Sequence, residues 1–591
     1  MSGCSVYLRL MLTTEATDLK PEKWKTFLFH SIFAVMLVMA WYFSKERLYT
    51  DSAYYFFHPL DSGFFVVAHQ RLVLAISQVI FLSTFYLGAS LKVLVISWSL
   101  SHILFYYSLF IIVYHVHRNE AAGLAIILLQ VVGQVWLYYS PMYEICYGGA
   151  LLVVFYVLLE EKIYTPKRWF WLIVLEILVI TSHPENFVIF FFVIIGDIIR
   201  NGFLRKVHPV FFLIFIGTII FKSLSFSDYE GDKLNFMLNL NENHRYLNLW
   251  NRNYMGDVLD VFTMHYKALL VFFLLATASL IRRRKVSQLF LFLLTVVGLV
   301  ALINATNDAN YFSRYTESLY FPLTWIVTVS FLRDFYQPLG LQTKKLFFLL
   351  LIGVSLFQLN EVRKNGEYLK MRTFQMENII SASQQQGIKK GLVKLENAEK
   401  DRWAMNWSLP MESLVLSSLR NSSETVSVIG DEDFDYRDTT VALTQNRFIL
   451  RRWEIRDDES MIPFFKVRHG NYIAMNTADS NLTADYFSNH VKLETMSSEM
   501  KTFGSKIFFP VKIINDREKP IPSLPVQSNY FEIGFAGSEG RQVFIPLDID
   551  VATTYTEILP LETAGIHKPA QVSVKLVVNG KEVASSTITI D

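Results

Sequence analysis

Cysteine is almost missing from this chain: two residues in 591, Cys4 and Cys146. One lies near the N-terminus and the other inside a hydrophobic run, so neither has a partner, which excludes a disulfide framework and a cysteine metal centre. Charge of one sign is equally scarce. Fifty-five basic against 53 acidic residues leave +2, so the balance calls for no nucleic acid or other polyanionic partner. No repeat recurs at solenoid spacing, and the spacing of His58 and His69 fits no common zinc pattern. Acidic and basic residues mix ahead of the first apolar run and no small-residue cleavage site follows it, so the first helix is expected to be retained. What the chain has in quantity is apolar sequence, 52% hydrophobic. That is too much for an ordinary soluble domain of this length and points to an integral membrane protein.

Apolar stretches of near-spanning length recur from Thr26 to about Asn360, and their order across a bilayer follows from which loops hold Lys and Arg. Lys20, Lys23 and Lys25 precede the first span, placing the N-terminal segment 1–25 inside. The stretch 72–88 breaks the pattern. Counted as a crossing, it puts His117, Arg118, Lys162, Lys167 and Arg168 outside; read as interfacial or re-entrant, it brings every later basic loop inside. Eleven spans result, at about 26–43, 91–115, 120–139, 145–160, 169–182, 186–199, 208–223, 262–281, 286–304, 317–335 and 345–359. The expected fold is thus a polytopic α-helical membrane bundle over 26–360, followed by an extracytoplasmic mixed α/β region at 361–505. A C-terminal β-sandwich of immunoglobulin-like type at 506–591 completes it, read from short alternating strands and the Asn579-Gly580 hairpin signal. The setting expected is the bacterial inner (plasma) membrane, with the C-terminal region outside.

On that topology five polar groups share the outer side: the island Glu46 to Arg71, the turn Ser140 to Glu144, the turn Ser182 to Asn186, the loop 224–260, and 307–317. Ionisable groups beside a bilayer are costly unless paired, hydrated or used. Asp51, flanked by Tyr49, Tyr54 and Tyr55, is suited to accept a proton from a hydroxyl or to bind a divalent cation. Arg314 and Arg71 offer the planar fork that holds phosphate. Glu144, His183 and Glu185 are further candidates for substrate contact. Plainer readings stand beside these. Asp51 can be a helix cap, Asp61-Ser62-Gly63 a turn, His183-Pro184-Glu185-Asn186 a simple helix break, and Arg314 one half of an ion pair with Glu317 or Asp308.

An N-terminal helix, then TDSAYYF with an acidic residue in the first outer loop, many spans, Arg314-Tyr315 opening a late span with Pro322, and a terminal outer domain together resemble the GT-C class of polyprenyl-phosphate-sugar-dependent membrane glycosyltransferases. The resemblance covers roughly residues 26–335. It implies that Asp51 is the catalytic base or a metal ligand, and that Arg314 and Tyr315 lie near the lipid phosphate of the donor. Many members pair Asp with Glu where this chain has Asp51-Ser52. The expected activity is transfer of a sugar from a polyprenyl-phosphate donor to a lipid, glycan or protein, with a divalent cation as one option for Asp51. A non-enzymatic envelope scaffold and a lipid or solute transporter are the alternatives; Lys222, Glu176 and Gln130, in or near spans, keep the last open.

Overall fold

The computed structural model describes residues 22–161, 164–224, 262–263, 266–306, 314–385, 387–393, 408–420, 425–430, 447–451, 454–457, 465, 471–474, 491–495, 501–503, 506–515, 529–535, 541–544, 554–562, 570–578 and 581–590. In chain order the helices are α1 (Lys23–Tyr42), α2 (Asp51–Ser62), α3 (Val73–Tyr86), α4 (Leu91–Phe110), α5 (Glu120–Val131), α6 (Glu144–Glu160), α7 (Pro166–Ser182), α8 (Asn186–Asn201), α9 (Val207–Ser223), α10 (Lys267–Arg282), α11 (Val286–Thr306), α12 (Arg314–Ser330), α13 (Leu341–Gln385) and α14 (Leu409–Arg420). Helices dominate, and four of those described are long and apolar enough to cross a membrane: Lys23–Tyr42, Leu91–Val116, Val286–Ile303 and Leu341–Gln385. Their outward faces are apolar, as with Phe27, Val38, Phe290, Val297 and Phe357, which suits hydrocarbon rather than water.

The local chemistry accounts for several ends. Thr165 accepts from the Arg168 amide at 3.3 Å just ahead of Pro166, a side-chain cap followed by proline at the first helical position. Asn119 caps α5 through the Ala122 amide at 2.9 Å. Gly202, at φ 72, closes α8. Helix α3 has 14 residues, a reach of about 21 Å against a hydrocarbon core of about 30 Å.

The described chain divides into two compact units. The first comprises Met1–Arg47, Ser62–Ala89 and Ile96–Arg363. At its heart is α6, buried from Glu144 through Leu159 and packed against α5, α7, α8 and α12; a helix apolar on all sides belongs inside a bundle. Gly148 and Gly149 allow that packing. A Cβ on Gly148 would collide with Ser182 Oγ and Asn186 Nδ2, and one on Gly149 with the Phe321 ring. The stretch 120–139 differs from the single span expected. Helix α5 stops at Val131 and Gly133 turns left-handed at φ 74, with Tyr266 and Thr324 against its α-carbon. The amides of Val135, Trp136 and Leu137 then donate to the Glu317 carboxylate at 3.0, 2.7 and 2.8 Å. A buried carboxylate satisfies three backbone donors that a broken helix would otherwise orphan.

The second unit comprises Leu48–Asp61, Ser90–Val95 and Lys364–Asp591. Helix α13 runs unbroken through 361, where the change in composition suggested a boundary. Strands β1 (Lys390–Val393), β2 (Ser427–Gly430), β3 (Arg447–Arg451), β4 (Glu454–Asp457) and β5 (Ile473–Ala474) follow. β2, β1 and β5 form a parallel sheet, covered by Met376, Ile380, Leu409 and Leu416 from the helices. Further on come β6 (Val491–Thr495), β7 (Lys501–Phe503), β8 (Lys506–Asn515), β9 (Asn529–Phe535), β10 (Arg541–Phe544), β11 (Thr554–Glu562), β12 (Ala570–Val578) and β13 (Lys581–Ile590). They build two antiparallel sheets, ordered β10-β9-β12-β13 and β11-β8-β6, with β7 also on β8. β12 and β13 pair Val578 with Lys581; Asn579 and Gly580, read as a hairpin signal, lie outside the described residues.

Candidate functional site

Four of the residues singled out in the sequence meet in the first unit. The chain enters the region through a loop tied down by Gln78, whose amide pairs with both the N–H and the C=O of Val66 at 2.8 and 2.7 Å. His69 and Gln70 then both adopt left-handed backbone, φ 52 and 56. Two successive non-glycine residues there are strained, and the strain falls directly before Arg71. The Arg71 guanidinium makes an ion pair with Glu144 at the start of α6.

The turn between α7 and α8 docks at that same end of α6. Asn186 Nδ2 donates to the Ile145 carbonyl at 3.1 Å and to Ser182 Oγ at 2.8 Å, the approach that Gly148 keeps open. This sets His183 and Glu185 within the electrostatic reach of Arg71. The Glu185 amide donates to His183 Nδ1 at 3.3 Å, so the neutral ring carries its proton on Nε2. Both side chains are half-buried. Burial holds the His183 imidazole well below its ordinary range, with the Arg71 and Lys222 charges acting in the same direction. Burial also pushes the Glu185 carboxyl up to about 8, against the opposing pull of Arg71.

The site therefore combines the Arg71–Glu144 ion pair with a neutral imidazole and, at neutral pH, a protonated Glu185 carboxyl. One oxygen of Glu144 and one of Glu185 are buried and accept no hydrogen bond among the described residues. Buried polar atoms are ordinarily hydrogen-bonded, so these oxygens have acceptor capacity to offer. The combination can bind hydroxyl and phosphate oxygens by donating from Arg71, His183 Nε2 and Glu185 and accepting at Glu144.

The other candidates lie on other elements. Asp51 opens α2 in the second unit, one residue after Thr50, which is buried at φ 51. Asp61 sits inside α2 rather than in a turn and pairs with Arg456, which also binds Glu454 at 2.8 Å; the turn begins after it, at Gly63 with φ 63. Arg314 and Tyr315 occupy the first turn of α12, but their side chains, like the loop 225–261 and residues 307–313, lie outside what is described. Sequence reasoning missed the structural work of Glu317 and Gln78. Gly148-Gly149 was the available clue to close packing beside Glu144, since adjacent glycines in an apolar run mark intimate helix contact. Among the described residues no three of His, Cys, Asp and Glu gather as a metal ion would require. Comparison with family models, with curated proteins and with solved structures returned no match for this chain.

Proposed function

We propose that this protein is an integral membrane glycosyltransferase of GT-C architecture, its helices forming an eleven-span bundle and its last strands a β-sandwich outside the membrane. It takes a sugar from a polyprenyl-phosphate carrier on the outer face of a bacterial inner membrane and passes it to a lipid, glycan or protein. The observation that carries the reading is the convergence of Arg71, Glu144, His183 and Glu185 from three separate stretches, with carboxyl oxygens of Glu144 and Glu185 left open. In this reading those residues hold the acceptor and its hydroxyls. Arg314 and Tyr315 hold the donor phosphate. Asp51 takes the proton from the acceptor hydroxyl as its oxygen attacks the sugar C1 and the lipid phosphate leaves with the bonding pair. The described residues around Asp51 supply no metal-ligand cluster, so no step is assigned to a metal.

The test is purified full-length protein in detergent with a polyprenyl-phosphate hexose and a mixture of candidate acceptors, read by mass spectrometry. Asp51→Asn should lower turnover by about 10²–10⁴-fold, the usual worth of a general base; unchanged turnover removes Asp51 from the reaction. A second reading, transport of a solute or lipid, is favoured by one feature. Glu176 is fully buried in α7 with neither carboxyl oxygen bonded among the described residues. Such groups within a bundle line pathways in membrane proteins. Substrate accumulation in proteoliposomes, abolished by Glu176→Gln and untouched by Asp51→Asn, would select it.

A further inference from the structure

The residue before Asp51 is held in a conformation that it would not choose. Thr50 is fully buried with φ 51, the left-handed region that costs a β-branched residue most. Its amide donates at 2.9 Å to Glu412 Oε1, on α14 and 362 positions away in sequence. Glu412 is itself fixed. Arg372 of α13 grips both its oxygens, Nη2 to Oε1 at 3.1 Å and Nη1 to Oε2, and Ser408 Oγ donates to Oε1 at 2.7 Å. The Arg372 guanidinium also lies 4.4 Å from the centre of the Tyr49 ring. Arg372 and Glu412 are 3% and 2% exposed, so the ion pair is bidentate and removed from water. The far end of α2 is secured in the same unit: Asp61 pairs with Arg456, His58 Nε2 lies 3.5 Å from Glu454, and Phe57 stacks on Phe465 at 5.5 Å.

We propose that Glu412, braced by Arg372, is a positioning residue that imposes the left-handed turn at Thr50 and so sets where α2 begins and how Asp51 is presented. The region after Lys364 then has a defined task, to hold the first-loop helix in register, beyond any binding of acceptor. This rests on the glycosyltransferase reading only for its consequence in turnover; the geometric claim stands without it. A buried pair that only added stability would not need to reach the amide of the strained, non-glycine residue itself.

The experiment has two arms on full-length protein in detergent. Hydrogen exchange over 48–56 should accelerate at least about tenfold in Glu412→Ala, and less in Glu412→Gln, which keeps an acceptor for Thr50. Thr50→Gly with Glu412→Ala should recover slow exchange in part, because glycine occupies φ near 50 without the clamp. With polyprenyl-phosphate hexose as donor, kcat should fall about tenfold or more in Glu412→Ala at nearly unchanged KM, and recover in the double variant. Should Glu412→Ala not fold, Glu412→Gln and Arg372→Lys carry the same comparison. Unaltered exchange overturns the clamp, whatever the activity. Faster exchange with unaltered kcat overturns the positioning role. A wild-type protein that turns over no donor sinks the enzymatic reading, and with it that role, while the exchange arm still reports on the clamp.

Discussion

At the scale of single residues the site is a balance between burial and pairing. Arg71 and Glu144 are each largely removed from water, so deleting one partner strands the other charge. Glu144→Ala should therefore destabilise by about 3–5 kcal/mol, whereas the joint replacement Arg71→Met with Glu144→Met should cost far less; thermal unfolding in one detergent compares them. His183 and Glu185 give the site a pH signature. The folded carboxyl of Glu185 sits near 8 against an ordinary 4.5, so the folded state holds the extra proton between those values. Stability from this group falls as pH rises from about 4.5 to 8 and is level above. The imidazole of His183 is depressed below 6.5, so the unfolded chain binds the extra proton and stability falls as pH drops below 6.5. Glu185→Gln should flatten the upper slope and His183→Gln the lower, measured as melting temperature against pH.

At the scale of elements the packing depends on one helix reached from several sides. Gly148 and Gly149 lie where Ser182, Asn186 and Phe321 press on α6. Gly149→Ala inserts a methyl where Phe321, itself fully buried, has no room to retreat; the expected cost is about 1–3 kcal/mol. Gly148→Ala should cost as much and also push the turn that carries His183 and Glu185, so that the pH slopes shrink along with the melting temperature. If Gly148→Ala lowers stability and leaves both slopes intact, the docking of that turn on α6 is not what shifts the two groups.

At the scale of the whole molecule the prediction concerns sidedness. In the proposed topology the Lys and Arg excess at Arg282–Lys285 and at 160–168 would place those loops on the inner face. Single cysteines placed at residues 62 and 283, in a chain with Cys4 and Cys146 replaced, should react with an impermeant maleimide from opposite sides of intact cells. Labelling of both from outside would invert the topology on which the shared outer site depends.

The apolar helices were legible in the sequence, because long uncharged runs are a local property that favours burial in hydrocarbon or in a bundle, and so were the residue types from which a polar site is made. The sequence also marked the strands from Lys506 onward, where alternation is a local property. It read Asp61 as a turn because Asp-Ser-Gly favours one locally, yet Asp61 lies inside α2 and pairs with Arg456. It did not signal that the buried Glu317 carboxyl accepts from three amides of the broken segment after α5. Which ionisable groups meet depends on the folded chain. Arg71 finds Glu144 across 73 positions and Thr50 finds Glu412 across 362, because the energy of a buried charge or amide is set by whatever the fold brings within about 3 Å of it, and no local pattern encodes that choice.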